Sequence, residues 1–295
     1  MSRVTGIDHL IIATEDLQAA TSLYGDVLGF HVSGGGSHPQ FGTANRIIVL
    51  GDEYIELLAG QPGADPSGLV GGLLRLGEGC AACILGVRDM DEAAEELRSR
   101  GLLFEGPTPG RLEAGPQFSR GWKTLTPVSP TIPGVPFLIE HDSLGEERRR
   151  LLAGQPGLAD HSLGARRVDS VTIAVNNCAE AAGIFDRLFD ITVDRKYQDP
   201  LLGAECARLH LASGAGIVLA MPMHAGEGPI AAALAARGEG LFALTIDVVD
   251  LGVAVRALRA RGIGVRVDEP EGVLVAAQLN HRNLMGARIG LIRTQ

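Results

Sequence analysis

Three ionisable side chains interrupt apolar runs of this chain. His9 stands in Gly6-Ile7-Asp8-His9-Leu10-Ile11-Ile12-Ala13, Glu56 in Tyr54-Ile55-Glu56-Leu57-Leu58, and Glu140 in Phe137-Leu138-Ile139-Glu140. Each run reads as a strand. Charge inside a strand core is costly unless it is paired, neutralised or bound to a metal. Two readings stay open at this point. In one, His9 hydrogen-bonds a core carbonyl, and Glu56 and Glu140 each pair with an arginine such as Arg46 or Arg120. In the other, the three line a cavity that takes a ligand or an ion. Alternate strand residues share a face, so His9 is expected to point with Ile7 and Ile11, Glu56 with Tyr54 and Leu58, and Glu140 with Leu138.

Other polar residues are weighed the same way. His38 follows Gly34-Gly35-Gly36 and precedes Pro39, on a loop or strand end, and is either pocket lining or surface. Asn45 and Arg46 lie beside an apolar strand, so one of them is expected to reach a cavity. Trp122, in Arg120-Gly121-Trp122, is the only Trp and offers an apolar wall with one donor. His141, His161, His210, His224 and His281 are isolated and read as structural or exposed. Cys80 and Cys83 are three apart in a strand, so they face opposite ways and read as buried small residues. The glycine-rich pieces lack the P-loop and dinucleotide spacings, and no Gly-x-Ser-x-Gly elbow is present.

The elements that hold these residues repeat. Ile7–Ala13 aligns with Val168–Ala174, and Asp89–Gly101 with Asp250–Gly262, both at an offset of 161. Two matches at one offset point to a duplicated domain. Each half divides again into strand, short helix and further strands. Helices are predicted over Asp16–Leu28, Asp89–Arg100, Asn177–Phe189 and Asp250–Arg261, each with one apolar stripe at helical spacing. Asp or Asn suits the N-cap, and Gly29, Gly101 and Gly262 suit the position after the last turn. In the first quarter, strands are predicted over Phe30–Gly34, Arg46–Leu50 and Tyr54–Leu58. In the second they fall near Leu103–Phe104, Lys123–Val128 and Pro136–His141. The unit is βαβββ, four times over. Ser170 and Val218 stand in the second half where the first has His9 and Glu56.

Composition narrows the class. The 295 residues, 45% of them hydrophobic, suit about two domains with full cores. No apolar run of about 18 residues exists, so no membrane span is expected. No signal peptide and no disulfide framework are expected either, and the chain reads as cytoplasmic. Residues 1–147 carry 9 Lys/Arg against 20 Asp/Glu, and residues 148–295 carry 17 against 15. Neither half has the basic face that nucleic acid demands, and Arg148-Arg149-Arg150 reads as a solvated linker face.

A paired βαβββ unit, with His in its first strand and Glu in its last, resembles the vicinal oxygen chelate superfamily. That group includes glyoxalase I, extradiol dioxygenases, methylmalonyl-CoA epimerase and bleomycin-resistance proteins. Ile-Asp-His-Leu-Ile-Ile-Ala (7–13), Gly-Gly-Gly-Ser-His-Pro (34–39), Gly-Thr-Ala-Asn-Arg (42–46), Tyr-Ile-Glu-Leu (54–57) and Pro-Phe-Leu-Ile-Glu (136–140) resemble its glyoxalase-like branch. The resemblance implies an α+β fold, four βαβββ modules paired into two half-barrels by tandem duplication. It places domains at 1–145 and 167–295 around a linker at 146–166. The usual ligand positions map to His9, Glu56, Ala82 and Glu140. Because alanine offers no donor, His38 or water would fill the vacancy. A divalent Zn, Mn, Ni or Fe ion is implied, with Glu56 and Glu140 as catalytic carboxylates and His38, Asn45, Arg120 and Trp122 contacting substrate.

The reading is thus a metal-dependent lyase or isomerase for a small oxygenated substrate, with oxygenation ranked lower. Its rival is a non-catalytic small-molecule binder of the bleomycin-resistance type. The second domain is expected to have lost the ligand set and to replace the partner subunit of single-domain relatives. It could still take an apolar ligand through Met221, Met223 and Phe242. Neither nucleic acid nor membrane is an expected partner, and the chain is a monomer with paired repeats or a homodimer.

Overall fold

The computed structural model describes residues 3–63, 69–75, 77–113, 119–142, 160–270 and 273–294, without the side chains at 40, 69, 70, 112, 113, 119 and 120. The first quarter runs β1 (Val4–Ala13), α1 (Leu17–Ser22) with a π-helical turn over Leu23–Val27, β2 (Ser37–His38), β3 (Thr43–Leu50) and β4 (Glu53–Gly60). After α2 (Leu69–Leu74) come β5 (Gly79–Val87), α3 (Met90–Ser99), β6 (Leu103–Glu113), β7 (Ser119–Ser129) and β8 (Leu138–His141). The third quarter is β9 (Ala165–Ala174), α4 (Cys178–Phe189), β10 (Val193–Asp199), β11 (Ala204–His210) and β12 (Gly216–Pro222). Then follow α5 (Gly228–Arg237), β13 (Gly240–Val248), α6 (Leu251–Ala260), β14 (Val265–Asp268), β15 (Ala276–Leu279) and β16 (Ile289–Ile292).

Local chemistry accounts for the helix ends. Asp16, Asp89, Asn177 and Asp250 each accept backbone N–H bonds at the start of α1, α3, α4 and α6. Gly29, Gly101 and Gly262 adopt positive φ after their helices, and Asp190 takes that conformation after α4. Two helices, α2 and α5, were not expected. The strand expected over Phe30–Gly34 reduces to one bridge, Ser33 to Ile47, because the glycine run turns the chain toward β2 instead. β6 is longer than expected although it contains Pro107 and Pro109. It is an edge strand, where a missing N–H costs no ladder bond.

The strands form two eight-stranded sheets, in the orders β2-β3-β4-β1-β5-β8-β7-β6 and β10-β11-β12-β9-β13-β16-β15-β14. Within each unit the first and last strands pair in parallel, and two units meet through antiparallel β1–β5 or β9–β13. This is the α+β pair of curled half-barrels that a tandem glyoxalase-like duplication requires. One buried apolar cluster draws on both halves, including Leu10, Leu57 and Leu97 with Phe185, Leu219 and Leu258. Each sheet keeps a smaller cluster on its other face: Ile11, Leu58, Ala82, Ile84 and Ile139 in the first, and Ala174, Cys206, Val218 and Phe242 in the second.

The halves pack against each other. His161 Nε2 lies 2.6 Å from the Val49 carbonyl, while its Nδ1 accepts from His31 N at 2.9 Å, so its structural reading holds. Arg100 forks onto Asp190 with two bonds of 2.8 Å. Gly79 must be glycine, since a Cβ there would stand 2.7 Å from the Gly286 carbonyl carbon. Cys80 and Cys83 are buried free thiols, as expected, but both face the main core rather than opposite ways, because Ala81 is an extra residue between the Ile11–Ala82 and Ile12–Cys80 pairs; burial pushes Cys83 up to about 12. Most of the linker expected at 146–166, with the arginine triplet, lies outside the described residues, and β9 already begins at Ala165. Among the described residues no helix is long and apolar enough to cross a membrane.

Glu53 opens β4 near this seam and is only 5% exposed. Burial drives its carboxyl up to about 7, against weaker opposition from a backbone hydrogen bond and Arg167. Its folded-state value lies above the unfolded one, so the contribution is greatest below about pH 4 and is lost as pH rises through about 7. Glu53→Gln is expected to flatten this decline and raise stability at pH 8.5 by up to about 3 kcal/mol. Urea unfolding at pH 5 and pH 8.5 measures it.

Candidate functional site

The first cavity depends on a break in strand alternation. In the β1–β5 pairing Ile7 faces Leu85 and His9 faces Ile84, so Asp8 is the extra residue of a β-bulge. The bulge changes the phase of the strand. Ile7 joins Leu10 and Ile12 in the main core, while His9 and Ile11 face the cavity. The expectation that Ile7 shares a face with His9 is therefore corrected. Two consecutive polar residues, Asp8 and His9, can both be buried on this strand because the bulge re-aims them.

A cavity of about 220 Å³ opens on the concave face of the first sheet, lined by His9, His38, Asn45, Tyr54, Glu56, Trp122, Phe137 and His141 among others. Tyr54, Glu56 and Leu58 all reach it, as β4 alternation requires. His9 Nδ1 lies 2.7 Å from Asp8 Oδ1, and its ring stacks on Tyr54 at 4.7 Å. A carboxylate only accepts, so Nδ1 carries the proton and Nε2 is left as the ligating nitrogen. His9 Nε2 stands 3.5 Å from Glu56 Oε2. Asn45 Nδ2 donates to Glu56 Oε1 at 2.5 Å, and Asn45 Oδ1 accepts from Gly36 N at 2.8 Å. Gly35 permits that approach, since a Cβ there would stand 2.0 Å from the Asn45 carbonyl oxygen. His38 Nδ1 lies 2.9 Å from the Thr43 hydroxyl, and its ring meets Trp122 edge-on at 6.0 Å.

The electrostatics follow from burial. Burial alone would raise Asp8, but hydrogen bonds and charge from His141 and His9 hold it well below the usual carboxylate range. Burial pushes His38 down, with Glu56 opposing, so its imidazole is neutral at pH 7.

Glu140 is the main departure from expectation. Its two carboxylate oxygens accept from Asp89 N at 2.7 Å and Met90 N at 3.0 Å, at the start of α3. The carboxylate complements the helix terminus and is absent from the cavity lining. Strand alternation explains this: Phe137, Ile139 and His141 face the cavity, which sends Leu138 and Glu140 to the other side. His141, read as structural or exposed, instead lines the cavity. Its Nε2 lies 3.1 Å from Asp8 Oδ1, and its Nδ1 is buried with no hydrogen-bond partner among the described residues. Alternation from Phe137 could have revealed it. Asp8 could have been found as the second polar residue in a doubly buried strand.

The remaining residues separate cleanly. Arg46 donates to the Asn45 carbonyl rather than pairing with Glu56. Arg120 lies in β7 opposite Leu112, and its side chain is outside the described part. Trp122 lies over Gly110, where a Cβ would stand 2.1 Å from the indole nitrogen. In the second half Ser170 and Val218 do line the corresponding concave face.

The donor types suit a divalent ion. The 3.5 Å between His9 Nε2 and Glu56 Oε2 is close to the about 3.4 Å edge of a tetrahedron with bonds of about 2.1 Å. His9, His38 and Glu56 each have a second polar atom tied to an outer partner, the arrangement that orients metal ligands. Ala82 adds nothing and Glu140 is engaged elsewhere. Among the described residues no three His, Cys, Asp or Glu side chains are drawn close enough to hold an ion as they stand. His38 must be drawn toward His9 and Glu56 to complete a site.

Comparison with known proteins places this geometry. No curated protein sequence matches the chain. In solved structures, a hypothetical protein from Staphylococcus aureus is similar at 14% identity and TM-score 0.68, over 98% of this chain and 99% of that one. A mutant 4-hydroxymandelate synthase from Streptomyces coelicolor is similar at 15% identity and TM-score 0.69, over 99% and 93%. Methylmalonyl-CoA epimerase from Mycobacterium tuberculosis matches 45% of the chain and 90% of its own, at 23% identity and TM-score 0.41. The two full-length likenesses carry the fold alone. The model of the glyoxalase-like domain matches residues 7–189, more than half of the chain, including every residue that lines the first cavity. The chain belongs to the glyoxalase-like family, with the paired half-barrel fold of the vicinal oxygen chelate proteins.

Proposed function

We propose that the first half-barrel is the active site of a divalent-metal-dependent lyase or isomerase acting on a small oxygenated substrate. The observation that carries this reading is the wiring behind the donors: Asp8 on His9, Thr43 on His38 and Asn45 on Glu56. His9, Glu56 and His38 would hold the ion. When bound, it supplies a Lewis acid that stabilises negative charge on vicinal substrate oxygens. Asp8 holds His9 in the Nδ1–H tautomer. Asn45 occupies Glu56 Oε1, so Oε2 is the oxygen left to face the ion or, once released from it, to take a proton from carbon beside a carbonyl and return it. Tyr54, Phe137 and Trp122 form the walls that seat the substrate. Two imidazoles and one carboxylate are also the donors of non-haem iron oxygenases, so oxygenation is the second chemistry to assay.

A binding protein without catalysis is the competing reading. It is favoured by the vacancy at Ala82 and by the engagement of Glu140 at α3, which together leave two donors in place. Under it Glu56 and the aromatic walls contact a hydroxylated or cationic ligand.

Calorimetric titration with Zn, Mn, Ni and anaerobic Fe(II), beside elemental analysis, separates the two. About one ion per chain is expected, lost in His9→Ala and Glu56→Ala and weakened roughly 10–100-fold in Asp8→Asn. Glu140→Gln should leave ion binding intact and cost about 1 kcal/mol of stability through the α3 terminus. Affinity should fall as the pH is made acid, where protons compete for the imidazole nitrogens. Uptake of none of the four ions overturns the metalloenzyme and leaves the binding protein.

A further inference from the structure

We propose that the second half-barrel is a binding site for a small organic oxyanion, a carboxylate or phosphate carried on an apolar body. A cavity of about 570 Å³ lies on the concave face of β9–β16, more than twice the size of the first. The duplication has rebuilt its chemistry. Where His9 pairs with Tyr54 across β1 and β4, Ser170 pairs with Gly216 across β9 and β12. With no ring at Gly216, the Arg208 guanidinium lies against the bare backbone, where a Cβ would stand 2.8 Å from its Cζ. The same bulge recurs in β9, because Thr245 faces Ser170 and Ile246 faces Val168. Its extra residue, Asp169, stands 3.7 Å from Arg208 rather than contacting histidines.

Arg288 supplies the second guanidinium. It is stacked over the Phe242 ring at 4.6 Å, with Nη1 3.5 Å from His281 Nδ1. Guanidinium has five donors and no acceptor, so one long contact to an imidazole leaves most of its donors to a ligand. Arg266 on β14 is the third cation at the cavity. Among the described residues no carboxylate lies within ion-pair distance of Arg266 or Arg288. The lining carboxylate Asp199 accepts instead from Leu201 N and Leu202 N. Burial, followed by the charges of Arg288 and Arg282, holds His281 below its ordinary range, so it adds a neutral donor or acceptor. Planar forks of this kind recognise carboxylate and phosphate, and Phe242 and Val218 offer an apolar bed beside them. Met221 and Met223, expected to seat an apolar ligand, are not among the lining residues; Phe242 is.

The full-length protein is titrated calorimetrically with phenyl phosphate, phenylacetate and, as the neutral counterpart, benzyl alcohol. An aryl anion should bind at least about tenfold more tightly than benzyl alcohol, and Arg288→Gln should remove that margin. Which of the two anions binds more tightly identifies the head group. Arg266→Gln, at an exposed strand position, should weaken binding several-fold and keeps the test open if Arg288→Gln does not fold. His9→Ala should leave anion binding unchanged, and the His281 imidazole, followed by NMR titration, should rise in pKa when the anion is bound. Equal binding of anion and alcohol, indifference to both arginine variants, or loss in His9→Ala overturns the proposal.

Discussion

A single buried carboxylate organises the first half-barrel. Asp8 is extruded into the site by the bulge of β1 and contacts two imidazoles, His9 on its own strand and His141 on β8. A charge at this depth is tolerable only because both imidazoles answer it. The same contacts select the tautomer of His9 and aim its Nε2 toward Glu56. The two modules of the first sheet are thereby joined through polar contacts as well as through the β1–β5 ladder. His9 is set toward Glu56 by this pairing, while His38 stands further off.

Around that pair, the second layer consists of residues whose value lies in what they hold. Asn45 is fixed between Gly36 and Glu56, and the glycine run before His38 lets the backbone pass closely enough for this. Glu140 shows the opposite outcome. It is a carboxylate in a strand of the same sheet, yet its charge complements two backbone amides of α3 and never reaches the cavity. Both carboxylates escape the cost of burial, one through side chains that create a site and the other through a helix end.

Duplication has kept the scaffold and exchanged the chemistry. The strand orders of the two sheets and the bulge before the central β1/β9 position are the same. What stands on them differs: His9, Tyr54 and Glu56 on one, and Ser170, Gly216 and Val218 on the other, with Arg208 and Arg288 bringing opposite charge. The shared apolar cluster holds the faces apart, so each can diverge without disturbing the other.

What is local or periodic can be read from the residues in order. The N-caps Asp16, Asp89, Asn177 and Asp250, the four-fold βαβββ order and the alternation Tyr54, Glu56, Leu58 depend on residues a few positions apart, and all were legible. His9, His38, Asn45, Glu56 and Trp122 are candidates for one cavity through the family resemblance, with His38 and Trp122 left open, and the structure lines one cavity with all five. The rest depends on contacts between segments far apart in the chain. Strict alternation put Ile7 on the face of His9 and left Asp8 unremarked, because a bulge is a property of two strands in register rather than of one. Glu140 found its partners in α3 because β8 meets a helix 51 residues away in sequence, whereas the place of His141 in the cavity follows from its alternation with Phe137 and Ile139. Arg208 and Arg288 became cavity residues because Gly216 and Phe242, on other strands, leave them a place to lie. Partners distant along the chain are chosen by register and packing, and neither is written in the spacing of a single segment.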